Sequence, residues 1–384
     1  MRELRIILTG GGSGGHIFPL LAVAQRLQEQ ADNFGVPLRM KYCGPMSEYA
    51  QEIVDNNIDF SVIFSGKLRR YWSVLNIIDV PKLFFGYLQA LWKLFWFMPD
   101  AVFSKGGPGS LAVVLAAKFY FIPIVIHESD SIPGLTNKIS GSLAKKIFLA
   151  FASAEKYFPG KDVEIVGNPI RKEISEYQNR LPAGGEDPHL TAKKDFGFDT
   201  NQPVLLILGG SQGAEKLNSF VSENLSLLLQ DFQVLHQVGA RNYETYKNEY
   251  QFMAKDWGEV EKIRYHFQAF FEDIADALAA ADIAISRAGS GSIFELAAMG
   301  KPAILVPLNL SANDHQKENA AIFSQTGAAI VIQEENLLGN LVLEELKKII
   351  QDKSLLEKMS AAAMSFYRPE AAQIIAKHLL TYVQ

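Results

Sequence analysis

Residues 100–110, DAVFSKGGPGS, recur in altered form as residues 282–292, DIAISRAGSGS. Aligned from the aspartate without gaps, Ser104 falls on Ser286, Lys105 on Arg287, Gly107 on Gly289, Gly109 on Gly291 and Ser110 on Ser292. Each half also opens on an apolar run that ends in glycines, ILTGGGSGG at residues 7–15 and LLILGGSQG at 205–213. A chain that writes strand, glycine turn and helix in this way in both halves is confined to two similar α/β units. Its 384 residues suit two cores better than one.

The rest of the pattern agrees. LRIIL, LRMKYC, FSVIF, AVFS, IPIVIH and KKIFLA in the first half, and PVLLIL, FQVLHQV, KIRYHF, IAIS, PAILVP and AAIVI in the second, are short apolar runs separated mostly by helical periodicity. Such runs mark parallel strands covered on both faces, the doubly wound α/β class. The polar stretch SEYQNRLPAGGEDPHLTAKKD reads as an exposed loop just after a boundary near Gly167–Pro169. The expected division is residues 1–168, residues 169–366, and a C-terminal helix, 367–384, packing back toward the first domain. Two Rossmann-like units of this kind face each other across a cleft, with ligands at the carboxyl edges of their sheets.

Composition excludes several classes. A net charge of −5 argues against general nucleic-acid binding. Cys43 is the only cysteine, so there is neither an internal disulfide nor a cysteine metal site. The N-terminus lacks a secretory pattern, and the expectation is a chain that stays in the cytoplasm. One segment stands out: LFFGYLQALWKLFWFM, Leu83–Met98, is almost wholly apolar and aromatic. It is shorter than the about 20 residues that span a bilayer. Lys67, Arg69, Arg70, Lys82 and Lys93 surround it against one acid, Asp79, and aromatic surface beside basic charge is the pattern of a helix lying in an anionic membrane interface.

Glycines ahead of a helix let an anion approach unpaired N–H groups at the positive end of the dipole. Four sites have that form: residues 10–15, 106–110, 209–213 and 288–292. Gly10, Gly12 and Gly15 match GxGxxG, but Asp32 precedes the second strand and Glu48 lies beyond it, so the acid of a dinucleotide site is missing. No Lys-Ser or Lys-Thr follows the glycines, which removes the P-loop. His16, in the first helical turn, is either a packing histidine or a general base kept neutral by the helix end.

Elsewhere, Glu295 lies about a turn and a half into the helix after Gly289, where a carboxylate can accept from a ribose diol. Asp314, His315, Gln316 and Asn319 form a polar group suited to sugar hydroxyls, or an ordinary helix cap. His127, Glu128 and Asp130 follow a buried strand toward the same edge.

GGGSGGHIFPLLAVA, HESDSIPGLTNK, VGNPIR, LGGSQGAEKLN, RAGSGSIFELAAMGKPAILVP and DHQKENA together resemble, in order and spacing, the MurG family of bacterial N-acetylglucosaminyltransferases, from about Ile6 to Asn319. The resemblance implies a GT-B fold and transfer of GlcNAc, with inversion, from UDP-GlcNAc to the 4-hydroxyl of undecaprenyl-pyrophosphoryl-MurNAc-pentapeptide. It implies that Ser13, Gly14 and Gly15 contact the donor sugar and diphosphate side. Arg171 and Ser211 would bind the nucleotide, and Phe271 would lend backbone contacts near the uracil. Ser290, Gly291 and Ser292 would hold the phosphates, Glu295 the ribose, Gln316 the GlcNAc hydroxyls and Asp130 a sugar hydroxyl. His16 is the expected base, with His127 and Glu128 as further catalytic candidates. No cofactor is required, although the diphosphate could recruit Mg²⁺ loosely. The expected location is peripheral, on the cytoplasmic side of the inner membrane.

Two positions depart from the family. Pro108 stands where members commonly carry the tyrosine of GGYVSGP, and Asp130 where some have asparagine. Three other functions fit parts of the pattern: a transferase acting on another lipid, a UDP-GlcNAc epimerase on the same fold, and a non-catalytic nucleotide-sugar scaffold.

Overall fold

A computed structural model describes residues 2–66, 76–177, 187–210, 213–271, 273–309 and 314–382, with residues 76–78 described by their backbone alone. The chain forms two units: Met1–Arg171 with Arg368–Gln384, and Lys172–Tyr367.

The first unit is built on β1 (Leu4–Thr9), α1 (Gly14–Asn33), β2 (Leu38–Gly44), α2 (Ala50–Asp55), β3 (Asp59–Val62), α3 (Asn76–Phe97), β4 (Ala101–Ser104), α4 (Ser110–Phe119), β5 (Ile124–Glu128), α5 (Leu135–Leu143), β6 (Lys146–Leu149) and β7 (Val163–Ile165). Its seven strands are ordered β3-β2-β1-β4-β5-β6-β7. All pairs are parallel, with Thr9 opposite Ser104 and Ser104 opposite Ile126. β7 is the strand that pattern reading omits. It has three residues, half-exposed, with Glu164 in the middle, so it lacks the apolar run that marks the others.

The second unit contains α6 (Lys172–Ser175), α7 (Pro188–Asp195), β8 (Val204–Leu208), α8 (Glu215–Asp231), β9 (Gln233–Gln237), α9 (Tyr243–Met253), α10 (Glu259–Arg264), β10 (Tyr265–Gln268), α11 (Ile274–Ala280), β11 (Ile283–Ser286), α12 (Ser290–Ala298), β12 (Ala303–Leu305), α13 (His315–Gln325), β13 (Ala329–Val331), α14 (Gly339–Gln351) and α15 (Lys353–Phe366). Its sheet runs β10-β9-β8-β11-β12-β13, again parallel. Part of the stretch expected to be loop is α7. Asp187 caps it, accepting from the His189 N–H at 2.9 Å, and Pro188 begins the helix where a missing N–H costs nothing.

The last helix, α16 (Ala371–Leu380), belongs to the first unit. Ile375, Ala376, Leu379 and Tyr382 join Leu20, Val23 and Leu27 of α1 in one core. The central strands of both sheets are buried on both faces, so strand ends and the turns after them are where polar groups collect.

Candidate active site

In the first unit β1 ends at Thr9, and glycines 10–12 lead to Ser13, the extended N-cap of α1 (φ −91°, ψ 156°). The Ser13 side chain does not cap the helix; its Oγ lies 2.9 Å from His16 Nδ1. The half-buried imidazole fills a slot that only glycine leaves open. A Cβ on Gly11 would stand 2.9 Å from Nδ1, and one on Gly107 2.8 Å from Nε2. Gly107 also has φ +85°, a conformation side chains resist. Burial first, and the Lys105 charge second, lower the His16 pKa to about 4 against an opposing pull from Asp130. The ring is therefore neutral near pH 7, and burial with Lys105 carries the effect that the sequence reading assigned to the helix end.

Beneath this turn lies a polar cluster. Lys105, directly after β4, donates from Nζ to His127 Nδ1 at 2.7 Å and to Asn168 Oδ1 at 3.2 Å. Since His127 Nδ1 accepts from Lys105, its Nε2 carries the hydrogen and donates to the Gly167 carbonyl at 2.9 Å. Glu128 Oε1 accepts the Asp130 N–H and Oε2 accepts Asn137 Nδ2, both at 2.9 Å. His127, Glu128 and Lys105 are all buried. Desolvation raises the Glu128 pKa to about 7 and lowers that of Lys105 to about 7; it also holds His127 well below its ordinary value. Sequence reasoning had grouped His127, Glu128 and Asp130 at one edge. Only Asp130 is partly open there, while His127 uses both ring nitrogens internally. Sequence reasoning misses Lys105, Asn137 and Asn168 as members of this cluster, although they lie in DAVFSKGGPGS, HESDSIPGLTNK and VGNPIR. The repeat alignment of Lys105 with Arg287 was the available signal.

The glycines divide by what surrounds them. Gly14 is packing: a Cβ there would meet the Phe18 ring at 2.9 Å. Gly15, the next residue, is exposed and would meet nothing within 4 Å. Arg171 closes the first unit with its guanidinium 4.3 Å over the Phe18 ring.

In the second unit β11 runs into Gly289, the N-cap of α12, and Gly289 and Gly291 again have open space where a Cβ would be. Neither has a positive φ. Ser290, Gly291 and Ser292 thus form a first helical turn with room above it for an anion. Neighbouring elements fix the turn. Arg287 donates to the Val306 carbonyl at 3.2 Å and pairs with Glu334 at 2.5 Å, both side chains buried. The buried Asn319 donates to the Ala288 carbonyl at 3.4 Å. Glu295 is buried, on the same helix. Gln316, at the start of α13, accepts the Leu308 N–H at 3.0 Å, and its helix begins after Asp314, whose φ is +54°. Phe271 is buried and its N–H donates to Gln237 Oε1 at 3.2 Å, so that amide already has a partner. Ser211 lies outside the described residues.

Residues 6–149 match the glycosyltransferase family 28 N-terminal domain and residues 204–375 the glycosyltransferase family 28 C-terminal domain. Two parallel-sheet units with these matches define the class, a two-domain glycosyltransferase of the GT-B fold. A Clostridium kluyveri protein named UDP-N-acetylglucosamine–N-acetylmuramyl-(pentapeptide) pyrophosphoryl-undecaprenol N-acetylglucosamine transferase is 36% identical over 380 residues, covering 97% of this chain and 99% of that protein. Among solved structures, Acinetobacter baumannii MurG aligns with a TM-score of 0.69 at 25% identity, covering 98% of this chain and 99% of its own. The chain belongs to the MurG family. A UDP-GlcNAc 2-epimerase from Neisseria meningitidis aligns almost as well, TM-score 0.68 over 98% of this chain and all of that one, at 16% identity. That likeness concerns the fold alone, so sequence rather than fold separates the two families.

Proposed function

We propose that this protein transfers N-acetylglucosamine from UDP-GlcNAc to the 4-hydroxyl of the muramyl residue in undecaprenyl-pyrophosphoryl-MurNAc-pentapeptide, with inversion at the anomeric carbon. The observation that carries the reading is full-length similarity, in both units, to proteins named for that transfer.

The chemistry divides between the units. The α12 turn takes the diphosphate of the donor, with Glu295 on the ribose hydroxyls and Gln316 toward the sugar. In the first unit His16 takes the proton of the acceptor hydroxyl on Nε2. This requires the tautomer in which Nδ1–H donates to Ser13 Oγ, leaving the Nε2 lone pair free. The acceptor oxygen forms its bond to the anomeric carbon as the bond to the β-phosphate oxygen breaks, its electron pair leaving with UDP. Amides at helix N-termini offset that charge. The reading needs no resident metal, and Mg²⁺ would travel loosely with the diphosphate.

The acceptor's polyprenyl chain calls for a protein that works at a lipid surface. No helix among the described residues is long and apolar enough to cross a membrane. α3 supplies an alternative: Ala90, Leu94 and Phe97 pack into the core of the first unit, yet a second apolar face is left in solvent. Most of its polar residues also turn toward the protein: Gln89 accepts the Phe64 N–H at 2.9 Å, Lys93 bonds Ser61 Oγ, and Gly86 lies against the Phe64 carbonyl, while Lys82 is exposed. Phe84, Phe85, Leu88, Trp92 (66% exposed), Phe95 and Trp96 (68% exposed) face outward. Six large apolar side chains in solvent on one helix fit the interfacial region of an anionic bilayer. The basic residues Lys67, Arg69 and Arg70 lie outside the described residues.

The decisive assay offers labelled UDP-GlcNAc with the muramyl lipid, with diacylglycerol, or with no acceptor. Transfer to the muramyl lipid alone is expected. Transfer to diacylglycerol, or acceptor-independent inversion at C2 of the donor sugar, would overturn the reading. For α3, sedimentation with anionic vesicles should carry down the native chain and leave Phe85→Ser/Trp92→Ser/Trp96→Ser in solution.

A further inference from the structure

Lys105 occupies a place the proposed reaction does not account for. It is a buried ammonium whose two described hydrogen bonds go to neutral acceptors, His127 Nδ1 and Asn168 Oδ1. Its backbone continues the β1–β4 ladder, the Lys105 N–H donating to the Thr9 carbonyl at 2.9 Å. Gly106 and Gly107 follow with φ of +83° and +85°, and Gly107 forms the wall against His16 Nε2. On the other side, Gly10 separates the two side chains: a Cβ there would lie 3.5 Å from Lys105 Cβ and 3.6 Å from His16 Cβ. Lys105 therefore anchors the turn that shapes the imidazole slot and places a positive charge under it.

Taking His16 as the base of the proposed reaction, we propose that Lys105 is its positioning residue, bracing the Gly106–Gly107 wall beside the imidazole and disfavouring a second proton on the ring. Two charged side chains from separate elements act on the ring. Lys105, after β4, disfavours a second proton, and Asp130, after β5, favours it. Ser13, from the start of α1, contacts Nδ1. The Tyr42 hydroxyl from β2 is engaged by the Gly10 carbonyl at 3.1 Å. Lys105 is in turn stabilised as a cation by Glu128 and Asp130, against the desolvation that opposes its charge. The neutral ring is one that can accept a proton from a hydroxyl at physiological pH. In the acid range where the ring titrates, well below the Lys105 pKa of about 7, this cationic neighbour lowers the pH at which His16 takes a second proton, without itself touching substrate.

The sign of the charge effect makes the test specific. In the full-length protein, the His16 pKa is followed by NMR titration of ring-labelled histidine, with His16→Gln to assign the signal. Lys105→Met removes the charge at similar length. Lys105→Gln keeps a donor for His127 and Asn168, and serves if the methionine variant does not fold. Either should raise the His16 pKa by about one unit, the low end of what a nearby charge does. Asp130→Asn should move it the opposite way. The acid limb of kcat/KM, near pH 4 in the native enzyme, should rise with the Lys105 variants. A folded Lys105 variant whose His16 pKa is unchanged overturns the proposal, and leaves His16 as base untouched. If the His16 pKa shifts while the acid limb stays fixed, Lys105 acts as proposed on a histidine that is not the base.

Discussion

The basic residue after the central strand meets opposite treatment in the two units. Arg287, after β11, is pinned by a buried carboxylate, Glu334 at 2.5 Å. Lys105, at the aligned position after β4, meets an imidazole nitrogen and an amide oxygen, with Glu128 acting on it through space. One plan thus yields two kinds of turn. The second unit holds a buried ion pair just ahead of a helix N-terminus, with open space where Gly289 and Gly291 would carry a Cβ. The first holds titratable groups shifted toward or below neutrality, His16 to about 4 and Lys105 and Glu128 to about 7. The difference is one of protonation: Lys105 and Glu128 in the first turn can change charge near neutrality, while an arginine in the second cannot.

The largest effect expected from breaking this comparison comes at His16. His16→Ala should lower turnover by about 10²–10⁴ and leave UDP affinity by calorimetry unchanged; near-normal turnover would return the imidazole to a packing role. Next is the ion pair. Arg287→Met leaves the buried Glu334 only the exposed Lys216, 3.8 Å away, and should cost up to about 3–5 kcal/mol of stability in urea titration, because removing the buried member of the pair leaves most of the carboxylate's desolvation uncompensated. The double variant Arg287→Met/Glu334→Met should recover most of it. Glu295→Ala should weaken UDP binding by about ten- to hundredfold, the loss of charge-assisted bonds worth about 1.5–3 kcal/mol. An unchanged dissociation constant would remove the ribose assignment. The smallest effect separates two glycines. Gly291→Ala meets no atom within 4 Å and should leave stability level or raise it by up to about 1 kcal/mol, while UDP binding weakens. Gly107→Ala, at φ +85° and 2.8 Å from His16 Nε2, should destabilise the first unit without touching UDP binding.

Much of the frame was legible beforehand because buried parallel strands leave a plain mark. LRIIL, AVFS, PVLLIL and IAIS are apolar on both faces, end in polar or glycine residues, and correspond to β1, β4, β8 and β11. Where that mark was weak, reading failed. β7 is an edge strand with a central glutamate, and the first residues of KIRYHF belong to α10 rather than β10. α7 hid in a polar stretch because its stability rests on an Asp-Pro start and on Lys193 and His189 meeting Asp282 at 2.8 and 3.2 Å, not on an apolar stripe.

By itself the sequence determined the two α/β units, the glycine turns, the family and the candidate residues, since these depend on periodicity and local residue order. Only the tertiary structure decided which glycines pack and which leave room. It turned His127 inward with both nitrogens bonded, set Lys105 close to His16, and decided which side chains of α3 pack (Ala90, Leu94, Phe97) and which meet solvent (Phe84, Phe85, Trp92, Phe95, Trp96). The reason is physical. Burial, and the charges that burial brings together, arise between residues far apart in the chain, and no local pattern records them.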